Sequence, residues 1–182
     1  MQALAIIDMQ RWMFRTPERT AQLPALVPVL NRLAAEFDAA GLPVFDVRVF
    51  HQADRSTWSR LMLKYDYSCM IEGTADVELV DGLDMPASAR LIRKTANSAF
   101  YGTNFEEQIR ALGVDRLLLA GAFIDGCVGL TAADAAQRRF DVILVEDAIA
   151  HGNARHRAAI FEWLGAMYEL AIVTTASLRA AS

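Results

Sequence analysis

Three polar side chains follow short apolar segments in this sequence, and together they could form one hydrolytic site. Asp8 ends the run ALAIID, Lys94 ends ARLIRK, and Cys127 lies in a glycine-rich turn after RLLLAG. A thiol attacks a carbonyl carbon as the thiolate, which nearby positive charge favours, and a carboxylate can carry the thiol proton to a leaving amine. The three residue types therefore predict acyl transfer at a cysteine, with no histidine required.

Each of these residues also has an ordinary structural explanation. An aspartate at a strand end commonly caps a turn, a lysine there is commonly solvated, and a free cysteine commonly packs as a small apolar residue. The segment GCVGLTAADAAQRR places Cys127 at or just before a helix start, where unpaired backbone N–H groups favour an anion and are positioned to bind an oxyanion. The combination of the three residues, more than any one of them, favours catalysis.

Short apolar segments alternate with longer amphipathic ones, which predicts strands alternating with helices. Several strands are apolar on both faces, as in a parallel sheet that is covered on each side. The predicted fold class is therefore α/β, a three-layer α/β/α Rossmann-like fold with a mostly parallel sheet of about six strands, in which residues 1–182 form one domain. The predicted strands span 3–7, 44–50, 89–94, 116–121, 141–147 and 170–175, and the predicted helices lie within 24–40, 102–113, 127–139 and 154–166.

The long connection over residues 51–88 has little regular pattern beyond a short helix in WSRLMLKYDY. A connection of this length in a compact domain is usually functional. Ligands of an open parallel sheet bind at the carboxyl ends of its strands, where Asp8, Lys94 and Cys127 all lie. The predicted fold would therefore bring the three side chains to one edge of the sheet.

The composition narrows the range of partners and compartments. The 182 residues carry a formal net charge of −4, with 54% hydrophobic and 22% charged residues, and the arginines are scattered. Nucleic acid and anionic membranes are therefore not expected as partners, and a small-molecule substrate is. No segment has the pattern of a signal peptide or a membrane span, and two cysteines without CxxC spacing suit a reducing compartment, so a cytoplasmic location is predicted.

The ordered motifs of the chain resemble those of the isochorismatase-like cysteine hydrolases. This family includes nicotinamidases and the amidohydrolases of N-carbamoylsarcosine, ureidoacrylate, biuret and maleamate. The shared motifs are D-x-Q in ALAIIDMQ, K-T-x-x-S-A-F-x-G-T in KTANSAFYGT and G-x-x-x-D-x-C-V in GAFIDGCV. Matching segments cover nearly the whole chain, and the ordered set is far more specific than any one motif.

The resemblance implies roles for particular residues. It implies Asp8 as the acid/base, Lys94 as its electrostatic partner and Cys127 as the nucleophile. It also implies a non-proline cis peptide in AFID, assigned here to the bond between Phe123 and Ile124, which turns backbone N–H groups toward an oxyanion hole that includes Cys127.

The resemblance further implies a substrate pocket and an assembly. The residues at matching pocket positions are Gln10, Phe14, Ser98 and Phe100, although core packing explains the two phenylalanines equally well. A homo-oligomer, either a dimer or a tetramer, is expected from the family and not from any feature of this chain.

The sequence departs from the nicotinamidase pattern at the metal site. Nicotinamidases carry D-x-H and a further histidine as metal ligands, whereas DVRVFHQAD places Arg48 after Asp46. Because an arginine cannot ligate a cation, we expect no catalytic metal and no cofactor. Arg48 then either pairs with Asp46 or meets a substrate carboxylate in the pocket. His51 is expected to be a loop residue, with contact to the substrate as the alternative.

The presence of Cys127 separates two branches of the family. The isochorismatases proper, which cleave a vinyl ether, lack this cysteine, so its presence favours amide or ureido hydrolysis. The predicted function is a metal-independent cysteine hydrolase that cleaves a C–N bond of a small amide, carbamoyl or ureido compound through a thioester. Two alternatives stay open, namely hydrolysis of a vinyl ether or an ester by the same fold, and a catalytically silent binding or scaffold protein.

Overall fold

The computed structural model describes residues 1–180, the last two by their backbone alone, and a single six-stranded sheet organises them. Every pair of neighbouring strands is parallel, and the strand order is β3-β2-β1-β4-β5-β6. The predicted parallel sheet of about six strands is confirmed. The strands are β1 (Gln2–Ile7), β2 (Val44–Val49), β3 (Arg90–Lys94), β4 (Arg116–Gly121), β5 (Asp141–Ile149) and β6 (Ala171–Val173).

Helices cover both faces of the sheet, which confirms the three-layer architecture. In β1, Leu4 and Ile6 pack with apolar residues of α2, whereas Ala3, Ala5 and Ile7 pack with α4, α5 and α6 on the opposite face. Within residues 1–180, no helix combines the length and the apolar character needed to cross a bilayer. The helices are α1 (Pro17–Thr20), α2 (Leu23–Ala39), α3 (Arg60–Tyr65), α4 (Phe105–Ala111), α5 (Cys127–Gln137), α6 (Ala154–Tyr168) and α7 (Thr175–Ala180).

The connection between β2 and β3 is largely irregular, as the sequence predicts. It contains α3, where the Ser59 side chain accepts the Met62 N–H as a cap, and one 3-10 turn at Ala75–Val77. Single bridges at His51–Ile71 and Gln10–Leu79 hold it against the carboxyl ends of the first two strands. The connection therefore covers the edge of the sheet at which the candidate catalytic residues lie.

From β1 the chain adds β2 and β3 on one side of the sheet, and it then adds β4, β5 and β6 on the other side. This switch in strand order places a crevice at the carboxyl ends of β1 and β4. Gly121 ends β4 with φ of +105°, and a Cβ atom at this position would lie 2.2 Å from the Ile7 carbonyl oxygen. Only glycine combines this backbone conformation with so close an approach. The chain can therefore turn out of β4 directly beside the end of β1.

We expect Gly121→Ala to destabilise the fold severely, because the new methyl group would overlap the β1 backbone. The free energy of unfolding should fall by more than about 4 kcal/mol, the range of exceptional substitutions. Gly113→Ala is the matched control, since Gly113 also has positive φ (+70°) but nothing lies within 4 Å of its added Cβ; it should cost about 1–2 kcal/mol. Chemical denaturation followed by circular dichroism measures both, and equal losses would contradict the close approach.

Candidate active site

Asp8 turns the chain away from the sheet immediately after β1. Its φ of 51° lies in the left-handed region, which aspartate tolerates better than most residues. Its backbone N–H donates to the Val47 carbonyl of β2 at 2.8 Å, and the whole residue is buried. The carboxyl group is therefore held inside the protein at the carboxyl end of the central strand pair.

Lys94 reaches Asp8 from the end of β3, with β2 lying between them. Adjacent strands are about 4.8 Å apart, so the lysine side chain has to cross about 10 Å of sheet. Its Nζ lies 2.7 Å from Asp8 Oδ2 and donates to the Ala96 carbonyl at 2.9 Å. Both charged side chains are fully buried, so each compensates the other for the loss of water.

Cys127 is the first residue of α5 and completes the cluster. Its thiol interacts with both Asp8 and Lys94, and Sγ lies 3.9 Å from Asn97 Oδ1. The helix can begin this close to the preceding turn because residue 129 is glycine; a Cβ atom there would lie 2.2 Å from the Ile124 carbonyl oxygen. The structure thus brings together Asp8, Lys94 and Cys127, the three residues that the sequence selects as candidate catalytic residues.

Burial dominates the protonation of this cluster. It raises the pKa of Asp8 above 3.8, an effect that Lys94 only partly opposes. It also raises the pKa of the Cys127 thiol, and the negative charge of Asp8 adds to this rise while Lys94 opposes it. For Lys94, burial alone would lower the pKa, but Asp8 and Cys127 raise it overall. The resting site therefore holds a neutral thiol beside a carboxylate of raised basicity, whereas the nearby lysine had suggested a thiolate.

The two carboxylate oxygens of Asp8 have different surroundings. Oδ2 accepts the Lys94 hydrogen bond, whereas Oδ1 is buried and has no partner with hydrogen-bonding geometry in residues 1–180. An unpaired buried acceptor costs about 1–3 kcal/mol and calls for an explanation. Oδ1 is free to accept a proton from a group that approaches it, and the Cys127 thiol is near enough to the carboxyl group to affect its pKa.

The turn between β4 and α5 supplies backbone donors near the thiol. Among the described residues the one non-proline cis peptide is Ala122–Phe123, so its predicted position at Phe123–Ile124 is wrong by one bond. The Ile124 N–H donates to the Ala150 carbonyl at 2.9 Å and is not available to a ligand. The N–H groups of Phe123 and Cys127 donate no hydrogen bond within residues 1–180 and remain available.

Cys127 lies in the wall of a cavity of about 1140 Å³. Half of the residues that line the cavity come from residues 51–70, so the long connection after β2 forms much of its wall. The lining is mainly apolar and aromatic, with a few polar groups near the thiol. Its large side chains include Trp12, Trp58, Met62, Tyr67, Tyr101 and Phe123.

The five predicted pocket residues do not contribute to this lining. Gln10 is fully buried, and its amide group both donates to and accepts from the Val49 backbone at 2.8 Å. The Ser98 hydroxyl donates to Asp134 of α5 at 2.7 Å. These polar groups hold the fold together around the site, because internal partners already satisfy them.

The two predicted pocket phenylalanines are core residues, in agreement with the structural alternative. Phe14 packs at 5.5 Å between ring centroids against Phe123, and Phe100 packs at 5.0 Å against Phe105. Both are less than 7% exposed, and neither belongs to the cavity lining. Their sequence positions beside the motifs reflect packing under the site.

Arg48 pairs with Asp46, with Nη2 3.0 Å from Oδ2. Of the two alternatives left open for this arginine, the structure has the ion pair, and Arg48 does not line the cavity. The pair also occupies the carboxylate that would serve as the first ligand of a nicotinamidase-type metal site. Within residues 1–180, no three His, Cys, Asp or Glu side chains are grouped to hold a metal ion, so the residues do not fit one.

His51 lies in the loop after β2, as the sequence predicts, and it also lines the cavity. Burial, with a smaller effect of Lys94, lowers the pKa of His51, so the ring is neutral. Thr57 Oγ1 accepts the Gln52 N–H at 2.8 Å and lies 3.4 Å from His51 Nδ1, so this threonine holds the ring at the cavity wall. The sequence signal for this residue was its place directly after the predicted strand 44–50, since Asp8 likewise follows the predicted strand 3–7.

The sheet order and the polar cluster together define the class of the protein. It is a parallel α/β protein that carries a buried aspartate–lysine pair and a cysteine at its topological switch point. Residues 2–177 match the isochorismatase domain family, so the chain belongs to the isochorismatase family of hydrolases.

Individual relatives agree with this assignment. The maleamate amidohydrolase of Pseudomonas putida is 27% identical over 169 residues, which cover 88% of this chain and 78% of that protein. A crystal structure of an isochorismatase family protein from Desulfovibrio vulgaris has a TM-score of 0.88 at 31% identity, covering 99% of this chain and 97% of the other. N-carbamoylsarcosine amidase from Thermoplasma acidophilum has a TM-score of 0.81 at 27% identity, covering 95% of each chain.

We expect Asp8→Asn to accelerate alkylation of Cys127 by iodoacetamide at pH 8. Removing the negative charge lowers the thiol pKa while Lys94 remains, and each unit of that fall raises the thiolate fraction about tenfold. Lys94→Gln should slow the same reaction. Peptide mass spectrometry follows Cys127, with the thiol of Cys69 as internal reference, because burial, Arg15 and Asp76 set the pKa shift of Cys69. A slower reaction in Asp8→Asn, with Cys69 unchanged, would contradict the described electrostatics.

Proposed function

We propose that this protein is a metal-independent cysteine amidohydrolase that cleaves a C–N bond of a small amide, carbamoyl or ureido compound. The observation that carries the proposal is the buried Asp8–Lys94 pair, whose Oδ2 and Nζ atoms lie 2.7 Å apart and whose charges both act on the Cys127 thiol. The names of relatives agree with this chemistry, since they include a maleamate amidohydrolase, ureidoacrylate amidohydrolases and an N-carbamoylsarcosine amidase.

The first half of the proposed reaction acylates the cysteine. Asp8 Oδ1 accepts the thiol proton as Sγ of Cys127 bonds to the carbonyl carbon, and the carbonyl electron pair moves to oxygen. The free N–H groups of Phe123 and Cys127 would donate to that oxyanion, assisted by the start of α5. The C–N bond then breaks, the nitrogen takes the proton from Asp8, and an amine or ammonia leaves a thioester on Cys127.

The second half returns the enzyme to its starting state. Water gives a proton to Asp8, and the water oxygen attacks the thioester carbonyl carbon. The C–S bond then breaks, and the sulfur regains the proton from Asp8. A carboxylic or carbamic acid is released. Lys94 keeps its charge throughout and stabilises the carboxylate whenever Asp8 is ionised. The raised pKa of Asp8 suits this role, because a base of ordinary pKa would hold the thiol proton too weakly.

The thiol is what separates this proposal from hydrolysis of a vinyl ether. A vinyl ether offers no acyl carbon for sulfur, so a cysteine coupled to an acid/base pair would have no function in that reaction. Hydrolysis of an amide or ureido carbonyl, in contrast, gives a role to each of Asp8, Lys94 and Cys127. A catalytically silent protein would equally leave the unpaired buried Oδ1 of Asp8 without a role.

We expect Cys127→Ala to lose more than about a thousandfold in kcat on any accepted amide, because the covalent route then has no nucleophile. Ammonia release measures turnover, with melting temperature as the control for folding. Intact-mass spectrometry of the wild-type enzyme during turnover should reveal an acyl adduct that peptide mapping assigns to Cys127 and not to Cys69. Turnover without loss in Cys127→Ala would overturn the mechanism, and turnover without an adduct at any sampled time would favour direct hydrolysis.

We also expect amide hydrolysis to survive removal of metal ions. The Asp46 carboxylate is held by Arg48 at 3.0 Å, so no ligand set of the nicotinamidase kind is formed. Dialysis against EDTA, with metal content checked by elemental analysis, should change kcat/KM by less than about twofold. Loss of activity that zinc, iron or manganese restores would contradict this expectation.

A further inference from the structure

The charged groups in the cavity lining are distributed unevenly. Among the described residues that line it, one is an arginine, Arg19 of α1, and none is an aspartate or glutamate. The carboxylate of Asp8 lies behind the lining and is already compensated by Lys94. The accessible wall of the cavity therefore carries a single positive charge.

The Arg19 guanidinium is held in place without an acidic partner. Its central carbon lies 4.7 Å from the centroid of the Phe123 ring, and Nη1 donates to the Met13 carbonyl at 3.3 Å. The neighbouring carboxylate of Asp125 instead accepts the N–H groups of Gly152 and Asn153 at 2.6 and 2.8 Å. Arg19 forms no ion pair within residues 1–180, so its remaining N–H donors are available to a ligand.

Other arginines near the cavity are already engaged. Arg15 lies over the ring of Trp12 at 4.2 Å and donates to the Tyr67 hydroxyl, and it does not line the cavity. Arg48 is paired with Asp46. Arg19 is thus the cation of the described structure that is positioned to recognise an anion inside this cavity.

We propose that Arg19 binds a carboxylate of the substrate, so that the substrate class is a small amide, carbamoyl or ureido compound bearing one carboxylate. This inference rests on the proposed amidohydrolase function. Phe123 connects the carboxylate position at Arg19 with the acyl position at Cys127. Its ring contacts Arg19, and its backbone N–H lies in the turn that leads to Cys127. The carboxylate and the scissile carbonyl are therefore separated by a short carbon skeleton.

The surroundings of Arg19 favour a monoanion over the other substrate types. A planar guanidinium matches the two oxygens of a carboxylate, and apolar walls strengthen the attraction by excluding water. A dianionic phosphate would leave one charge uncompensated among aromatic side chains, and a neutral amide would leave the arginine unpaired. A carboxylate compensates the single cation with no charge left over.

The test compares substrates that differ only in charge. Four pairs supply a carboxylate or the corresponding carboxamide on the same skeleton: succinamate and succinamide, glutaramate and glutaramide, phthalamate and phthalamide, and N-carbamoylglycine and its amide. We expect the wild-type enzyme to prefer the anionic member of its best pair by about ten- to hundredfold in kcat/KM, as charged hydrogen bonds contribute. Ammonia release gives the rates, corrected for the second amide of the symmetric diamides.

Variants of Arg19 should move that ratio in a graded manner. Arg19→Gln keeps a donor for the Met13 carbonyl and should bring the ratio close to one, mainly by raising KM for the anion. Arg19→Lys should retain an intermediate preference, and Arg19→Glu should favour the neutral member. Arg11→Gln is the matched control, since Arg11 pairs with Asp81 on the surface outside the cavity and its loss should leave the ratio unchanged.

The outcomes separate this inference from the function on which it depends. Turnover of the neutral members at least as fast as the anionic ones, or an anion preference that persists in Arg19→Gln, would overturn the role of Arg19 while leaving the amidohydrolase proposal intact. If no member of the panel is hydrolysed or acylates Cys127, the proposed function fails and this inference fails with it. A ratio that falls in Arg19→Gln and Arg19→Glu but not in Arg11→Gln supports it.

Discussion

The ion pair between Asp8 and Lys94 is the interaction on which the rest of the site depends. Two opposite charges with no exposed side-chain surface can remain ionised only in close contact, and here 2.7 Å separates Nζ from Oδ2. Since the residues lie at the ends of β1 and β3, that contact requires the order β3-β2-β1 and a side chain as long as lysine. Burial raises the pKa of the Cys127 thiol, and the two charges of the pair adjust it in opposite directions, since Asp8 raises it further and Lys94 lowers it.

Close backbone packing brings the third group to this pair. Gly121 allows β4 to turn beside Ile7, and Gly129 allows α5 to begin against the Ile124 carbonyl. Larger residues would move the start of α5, and with it Cys127, away from Asp8. The two glycines thus serve the chemistry indirectly, because they set how near the helix start comes to the end of β1.

The cavity wall has a different origin from the catalytic cluster. The cluster is built at the ends of three strands, whereas half of the lining comes from residues 51–70, a segment whose two ends are joined by the bridge between His51 and Ile71. The candidate catalytic groups are thereby fixed by regular structure, and many of the groups that line the cavity lie on segments that can vary without disturbing the sheet. Arg19 belongs to the second set, on the four-residue helix α1.

The sequence by itself determined the parallel α/β fold and the candidates Asp8, Lys94 and Cys127, because strand ends are local features and parallel strands bring their carboxyl ends together. Only the tertiary structure decided which residues line the cavity. Gln10 and Phe14 are residue types suited to a pocket. In the structure, however, Gln10 forms hydrogen bonds with the Val49 backbone and Phe14 packs against Phe123. Arg19 lies in the cavity because non-local packing directs it there and leaves it unpaired. The raised thiol pKa likewise depends on burial, which no local pattern reports.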